Sequence, residues 1–222
     1  MLGFLGFLGG CSLFPSMEEE GFIKSNDSYI RGENYFTQGY YQSALMEFKN
    51  VPSSHPEFQK AKEYLEKTNQ RLSRVVYYET NAIQYEKQGE LLKARHSLEH
   101  ALKIYPKNKE IQKLHKNLNK EIHILAELSF KKGNSFYQEG DFDNAITHFK
   151  KAYQMGSSGH ALADRLAIAY NSRALNLYRK GNLTEAIANL KQSLDINPKQ
   201  ENIRVQLNEM EHRLGLLKKL SP

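Results

Sequence analysis

The sequence of 222 residues has one cysteine, Cys11, and no tryptophan. A single thiol excludes an intrachain disulfide framework and any Cys-rich zinc site. No apolar run approaches the roughly 20 residues needed to cross a bilayer, which excludes a polytopic membrane protein. No glycine-rich phosphate loop and no nucleophile elbow occur, so the expected answer is no enzyme and no cofactor. Prolines number six and glycines fourteen, and long stretches contain neither. What is present fits a folded chain of one large domain or two small ones: 40% hydrophobic residues, 25% charged, and a net charge of +6.

The charged residues give little chemistry. His96 and His100 stand one helical turn apart, a spacing that can hold a metal. The acid at Glu99, however, adjoins the second histidine rather than the first, and no third ligand is indicated. Solvated histidines are the reading, and no metal site is expected. Lys103, Lys107, Lys109, Lys113, Lys116 and Lys120 alternate with Glu110 and Glu121 on what reads as a wet helix face. Nucleic-acid binding needs a basic face interleaved with stacking aromatics, so no nucleic acid is expected as a partner.

The first residues, MLGFLGFLGGCSLFPS, are apolar or glycine up to Gly10, which suits the apolar part of an export signal. Leu8-Gly9-Gly10-Cys11 resembles the lipobox of bacterial lipoproteins. The resemblance implies cleavage before Cys11 and lipidation of its thiol, and Ser12 implies passage to the outer membrane. No Lys or Arg precedes Cys11, the first being Lys24, so the expected start lies inside a longer signal. The expected divisions are a signal over residues 1–10, a lipidated tether over 11–26, and a repeat region over 27–199.

That region repeats a pattern of seven positions. Gly32, Tyr35, Gly39, Ala44, Phe48, Val51 and Pro56 recur as Ala82, Tyr85, Gly89, Ala94, Leu98, Ala101 and Pro106. They recur again as Gly133, Phe136, Gly140, Ala145, Phe149, Ala152 and Ser157, then as Ala174, Leu177, Gly181, Ala186, Leu190, Ser193 and Pro198. The pattern predicts two antiparallel helices per copy. Glycine ends the first helix in a left-handed terminus. The small residue opening each set lets the partner helix approach, and the alanine and the large residue four later share the second helix's inner face. Proline then stops the second helix.

These positions resemble the tetratricopeptide repeat, with GNSFYQEGDFDNAITHFKKA the nearest stretch. The resemblance implies an all-α, tetratricopeptide-like helical-hairpin solenoid with cores at 28–56, 78–106, 129–157 and 170–198. The family repeats every 34 or so residues, whereas the alanines here are spaced by 50, 51 and 41. The surplus lies in segments lacking Gly and Pro, expected as long helices over 57–88 and 107–138; shorter helices broken near Asn69 and Asn117 are the alternative. Ile203, Leu207, Met210, Leu214 and Leu217 predict a capping helix over 200–222.

The family grips protein segments in a concave groove lined by the first helix of each pair. That implies a groove of Tyr29, Glu33 and Phe36; Glu79, Ile83 and Glu86; Phe130, Asn134 and Tyr137; and Asn171, Leu175 and Tyr178. Phe130 and Ser172 stand where the carboxylate-gripping subset of the family carries Lys and Asn, so chaperone tails are not the expected ligand. The combined expectation is a lipid-anchored envelope scaffold that binds other envelope proteins or peptides and meets the membrane through Cys11. A soluble cytosolic adaptor without lipid is the first alternative and a metal-dependent enzyme using His96 and His100 the second, and the oligomeric state stays open.

Overall fold

The computed structural model describes residues 25–156 and 160–220. Cys11, the preceding apolar stretch, most of the tether and Ser157 lie outside the described residues. Among those described there are nine helices and no strand. They are α1 (Ser28–Thr37), α2 (Tyr41–Lys49), α3 (Phe58–Lys87), α4 (Leu91–Ile104), α5 (Lys109–Gln138), α6 (Phe142–Gln154), α7 (His160–Arg179), α8 (Leu183–Ile196) and α9 (Glu201–Leu220). Helices α3 and α5 each run unbroken for 30 residues, straight through Asn69 and Asn117.

One hairpin turn is used four times. Gly39, Gly89, Gly140 and Gly181 have φ of 80°, 74°, 78° and 82°, a region that costs any residue with a Cβ. The residue after each glycine donates its N–H five residues back, to the carbonyls of Tyr35, Tyr85, Phe136 and Leu177. The glycine N–H itself reaches the next carbonyl along, as from Gly140 to Tyr137 at 3.1 Å. These bonds satisfy carbonyls that a helix end leaves open. In two copies the residue after the glycine also caps the following helix: Asp141 accepts from the Asn144 N–H and Asn182 from the Glu185 N–H.

The small residue and the large one form a matched pair. A Cβ on Gly32 would stand 2.7 Å from the Phe48 ring, and one on Gly133 would stand 2.6 Å from Phe149. Where the small residue is alanine, as at Ala82 and Ala174, the large one is leucine, Leu98 and Leu190. All four large residues are buried. The hairpin seam thus holds either no methyl with a ring or one methyl with a branched chain.

The second helix of the first copy departs from expectation. It ends at Lys49, well before Pro56. Pro52 explains this, since proline disfavours helical geometry at the residue preceding it, here Val51.

The helices group into two compact units. Of the described residues, the first contains 25–77 together with Ala101–Asn108. Its core gathers Tyr29, Ala44, Phe48, Val51 and Ala61, with the Tyr64 ring stacked on Phe48 at 5.2 Å and edge-on to Phe36 at 5.1 Å. The second contains Tyr78–His100 and the described residues from Lys109 onward. In it α5 packs on α6, α6 on α7, α7 on α8 and α8 on α9, so successive hairpins nest. Phe149, Leu166 and Tyr170 centre one part of its core, and Leu190, Ile203 and Met210 the other.

The start of α1 carries a titrating corner. Asp27 accepts from the Tyr29 and Ile30 N–H groups, and its second oxygen lies 3.0 Å from His55 Nε2. The His55 hydrogen bond, chiefly, and the two N–H groups hold the Asp27 carboxyl below its ordinary 3.8, against some desolvation. A carboxyl lowered by folding adds stability above its unfolded value, and that contribution is lost as pH falls through the folded one. The thermal midpoint of the native chain should therefore fall more steeply than that of Asp27→Asn between about pH 5 and about pH 3. Parallel slopes in thermal melts would count against this role.

Candidate protein-binding surfaces

In the second unit, residue spacing lays two similar faces side by side. On α3, Glu79, Ala82, Ile83 and Glu86 share one face; on α5, Glu110, Leu114, Asn117 and Glu121 share another. Between them is a pocket of about 150 Å³ with a buried floor of Ala82, Leu98 and Leu118. Ile83 and Leu114 stand at its mouth, 42% and 37% exposed. Glu86, Asn117 and Glu121 complete the rim. Burial first, and then the charge of Glu110, push the Glu79 carboxyl above its ordinary value. Among the described residues Glu79, Glu86 and Glu121 form no ion pair.

The other expected groove residues of this unit have varied surroundings. Phe130 packs on the buried Phe149, ring centroids 5.8 Å apart. The Tyr137 hydroxyl lies 3.0 Å from Ser172 Oγ, and its ring leans on Phe142. Asn134 is half-buried on α5, and Leu175 is 37% exposed on α7. Asn171 donates to Gln200 Oε1 at 2.9 Å, so its amide braces α9. Tyr178 accepts from Arg213, whose guanidinium also lies over the ring. Ile83 and Leu175 thus present apolar surface, while Asn171 and Tyr178 hold helices together.

In the first unit, Tyr29 is largely buried in the core and borders a cavity of about 390 Å³ with Asp27, Val51 and His55. Glu33 accepts from the Tyr64 hydroxyl at 3.3 Å. Phe36 packs against Tyr41 and Tyr64 beneath the Arg71 guanidinium. A cavity of about 450 Å³ opens beside Phe36 and Tyr64, edged by Lys67, Arg71 and Arg74. The surface there is basic, opposite in sign to the pocket of the second unit.

The histidine pair is also defined. His96 and His100 bring their Nε2 atoms to 2.9 Å, and the His100 ring stacks on Tyr78. Glu99 lies 3.6 Å from His96 and 3.7 Å from His115. Among the described residues no group of three or more potential ligands is placed to hold a metal ion. None of the described helices is long and apolar enough to cross a membrane.

Sequence reasoning placed Glu79, Ile83 and Glu86 together but missed their counterparts Glu110, Leu114 and Glu121. The signal was there: spacings of four, three and four through Asn117 put all four residues on one face.

Residues 125–199 match the family model of the tetratricopeptide repeat. This stretch is similar to the tetratricopeptide repeat. It spans α5 from Leu125 through α8, with the Gly133–Phe149 and Ala174–Leu190 pairs inside it. No curated protein matches the chain. Among solved structures, the TPR2AB domain of yeast Sti1 in its pHSP90 complex is 16% identical, with 84% of this chain and 70% of that one covered and a TM-score of 0.31. A thermophilic TPR protein of Thermus thermophilus is 20% identical, with 82% and 79% covered and a TM-score of 0.24.

Proposed function

We propose that the protein is a lipid-anchored scaffold of the bacterial envelope, held in the outer membrane facing the periplasm, whose tetratricopeptide hairpins bind segments of other envelope proteins. The observation that carries binding is apolar surface on first-helix faces that the described residues leave exposed, at Ile83, Leu114 and Leu175. The observation that carries anchoring is Leu8-Gly9-Gly10-Cys11, which puts the sole thiol where a lipobox needs it. Several acyl chains would hold the protein firmly, each buried methylene contributing about 0.8 kcal/mol.

In the native cell, Cys11→Ser should move the protein from the detergent phase to the aqueous phase. The native chain should carry the mass of a lipidated, processed Cys11. An unmodified Cys11 in a water-soluble full-length chain would instead establish the cytosolic adaptor.

A further inference from the structure

We infer that the pocket between α3 and α5 takes a helical partner segment in which one aliphatic side chain is flanked by two lysines or arginines. The inference rests on the scaffold reading and specifies the chemistry of the occupant. At about 150 Å³ the pocket is too small for a metabolite of ordinary size, since such sites run to about 300–1,000 Å³. Its floor of Ala82, Leu98 and Leu118 is apolar, and its polar groups, Asn117, Glu86 and Glu121, are exposed at the rim. What it accepts is the tip of one branched aliphatic chain, entering between Ile83 and Leu114.

The rim sets the flanking charge. Glu79 and Glu110 are near enough to repel, and Glu86 and Glu121 line the pocket. Lys113 and Lys120 stand four and three residues from Asn117, beside this face of α5, yet among the described residues no cation lines the pocket. Glu79, Glu86 and Glu121, which form no ion pair among the described residues, are complemented by cations carried in on the partner. Glu79 and Glu86 are seven residues apart, about 10 Å along the helix axis. A helix lying along the groove with Lys at i−3, Leu at i and Lys at i+4 puts its three side chains on one face with that span.

The test uses the full chain and two labelled helical peptides of sixteen residues, one carrying Lys-x-x-Leu-x-x-x-Lys and one with Glu at both lysine positions. Fluorescence anisotropy should show saturable binding of the basic peptide, weakened by salt, and none of the acidic one. Glu86→Lys/Glu121→Lys should weaken the basic peptide at least tenfold. Both positions are exposed, and an unchanged melting midpoint would confirm the fold. Glu86→Gln/Glu121→Gln should give an intermediate loss.

Equal binding of both peptides, or full affinity in the charge-reversed variant, overturns the inference. So does self-association that disappears when residues 216–222 are removed, because the occupant would then be Leu216 and Lys218 of a second copy. Those failures leave the anchored-scaffold reading standing, which falls separately if Cys11 is unmodified.

Discussion

Replacing Phe149 with alanine is expected to lower the unfolding free energy by about 3–5 kcal/mol, the cost of emptying a fully enclosed aromatic site. Phe149 has no exposed surface, and its ring covers the bare Cα of Gly133. The more informative experiment keeps the site filled. Gly133→Ala alone places a methyl 2.6 Å from the ring. Overpacking of this kind costs about 1–3 kcal/mol, offset by about 1 kcal/mol from the better helix propensity of alanine. Phe149→Leu alone leaves a gap above Gly133. The double variant recreates the Ala174–Leu190 pair of the next hairpin and should recover much of both losses. In urea unfolding followed by circular dichroism, the coupling between the two positions should reach about 1 kcal/mol or more, as for residues in direct contact. Additive single effects would mean the pair is not a unit.

That pairing shows why so much of the fold was legible. Four copies of one hairpin repeat the same local problems: a left-handed turn at Gly39, Gly89, Gly140 and Gly181, and a seam needing a small residue against a large one. Repetition marks those positions in the sequence because each copy must solve them with the same few residue types. The absence of Gly and Pro likewise foretold the continuity of α3 and α5, because nothing between Phe58 and Lys87 or between Lys109 and Lys132 breaks a helix.

What the repeat does not require was harder to read. Tyr29 occupies a groove position by analogy, yet it turns inward because Phe48, His55 and Tyr64 form an aromatic nest specific to the first unit. The division of the helices into two units leaves no mark in the repeat positions, which run on through α3 and α4. Half of the acidic pocket lies on α5 outside the repeat cores, in a segment that reads simply as a connection. Family positions locate surfaces shared by all copies; a pocket built from one copy and an insert has no place among them.

Gln200 is the strongest case of a residue that no local pattern announces, and its removal should cost about 2–3 kcal/mol through lost and unsatisfied hydrogen bonds. It sits in the bend between α8 and α9. Its Nε2 lies 2.9 Å from Ser193 Oγ, 3.1 Å from the Asn197 carbonyl and 3.3 Å from the Ser193 carbonyl. Its Oε1 accepts from Asn171 Nδ2 on α7 at 2.9 Å. Ser193 is itself fully buried and donates to the Ala167 carbonyl. One amide therefore serves the open carbonyl end of α8 and ties three helices together. Gln200→Ala removes both bulk and bonds, whereas Gln200→Met keeps the bulk and removes the bonds. If the bonds carry the effect, both variants should lose stability alike, and hydrogen exchange should quicken in α9 before α5 and α6. A methionine variant as stable as the native chain would show that filling the bend, not bonding across it, seats the last helix.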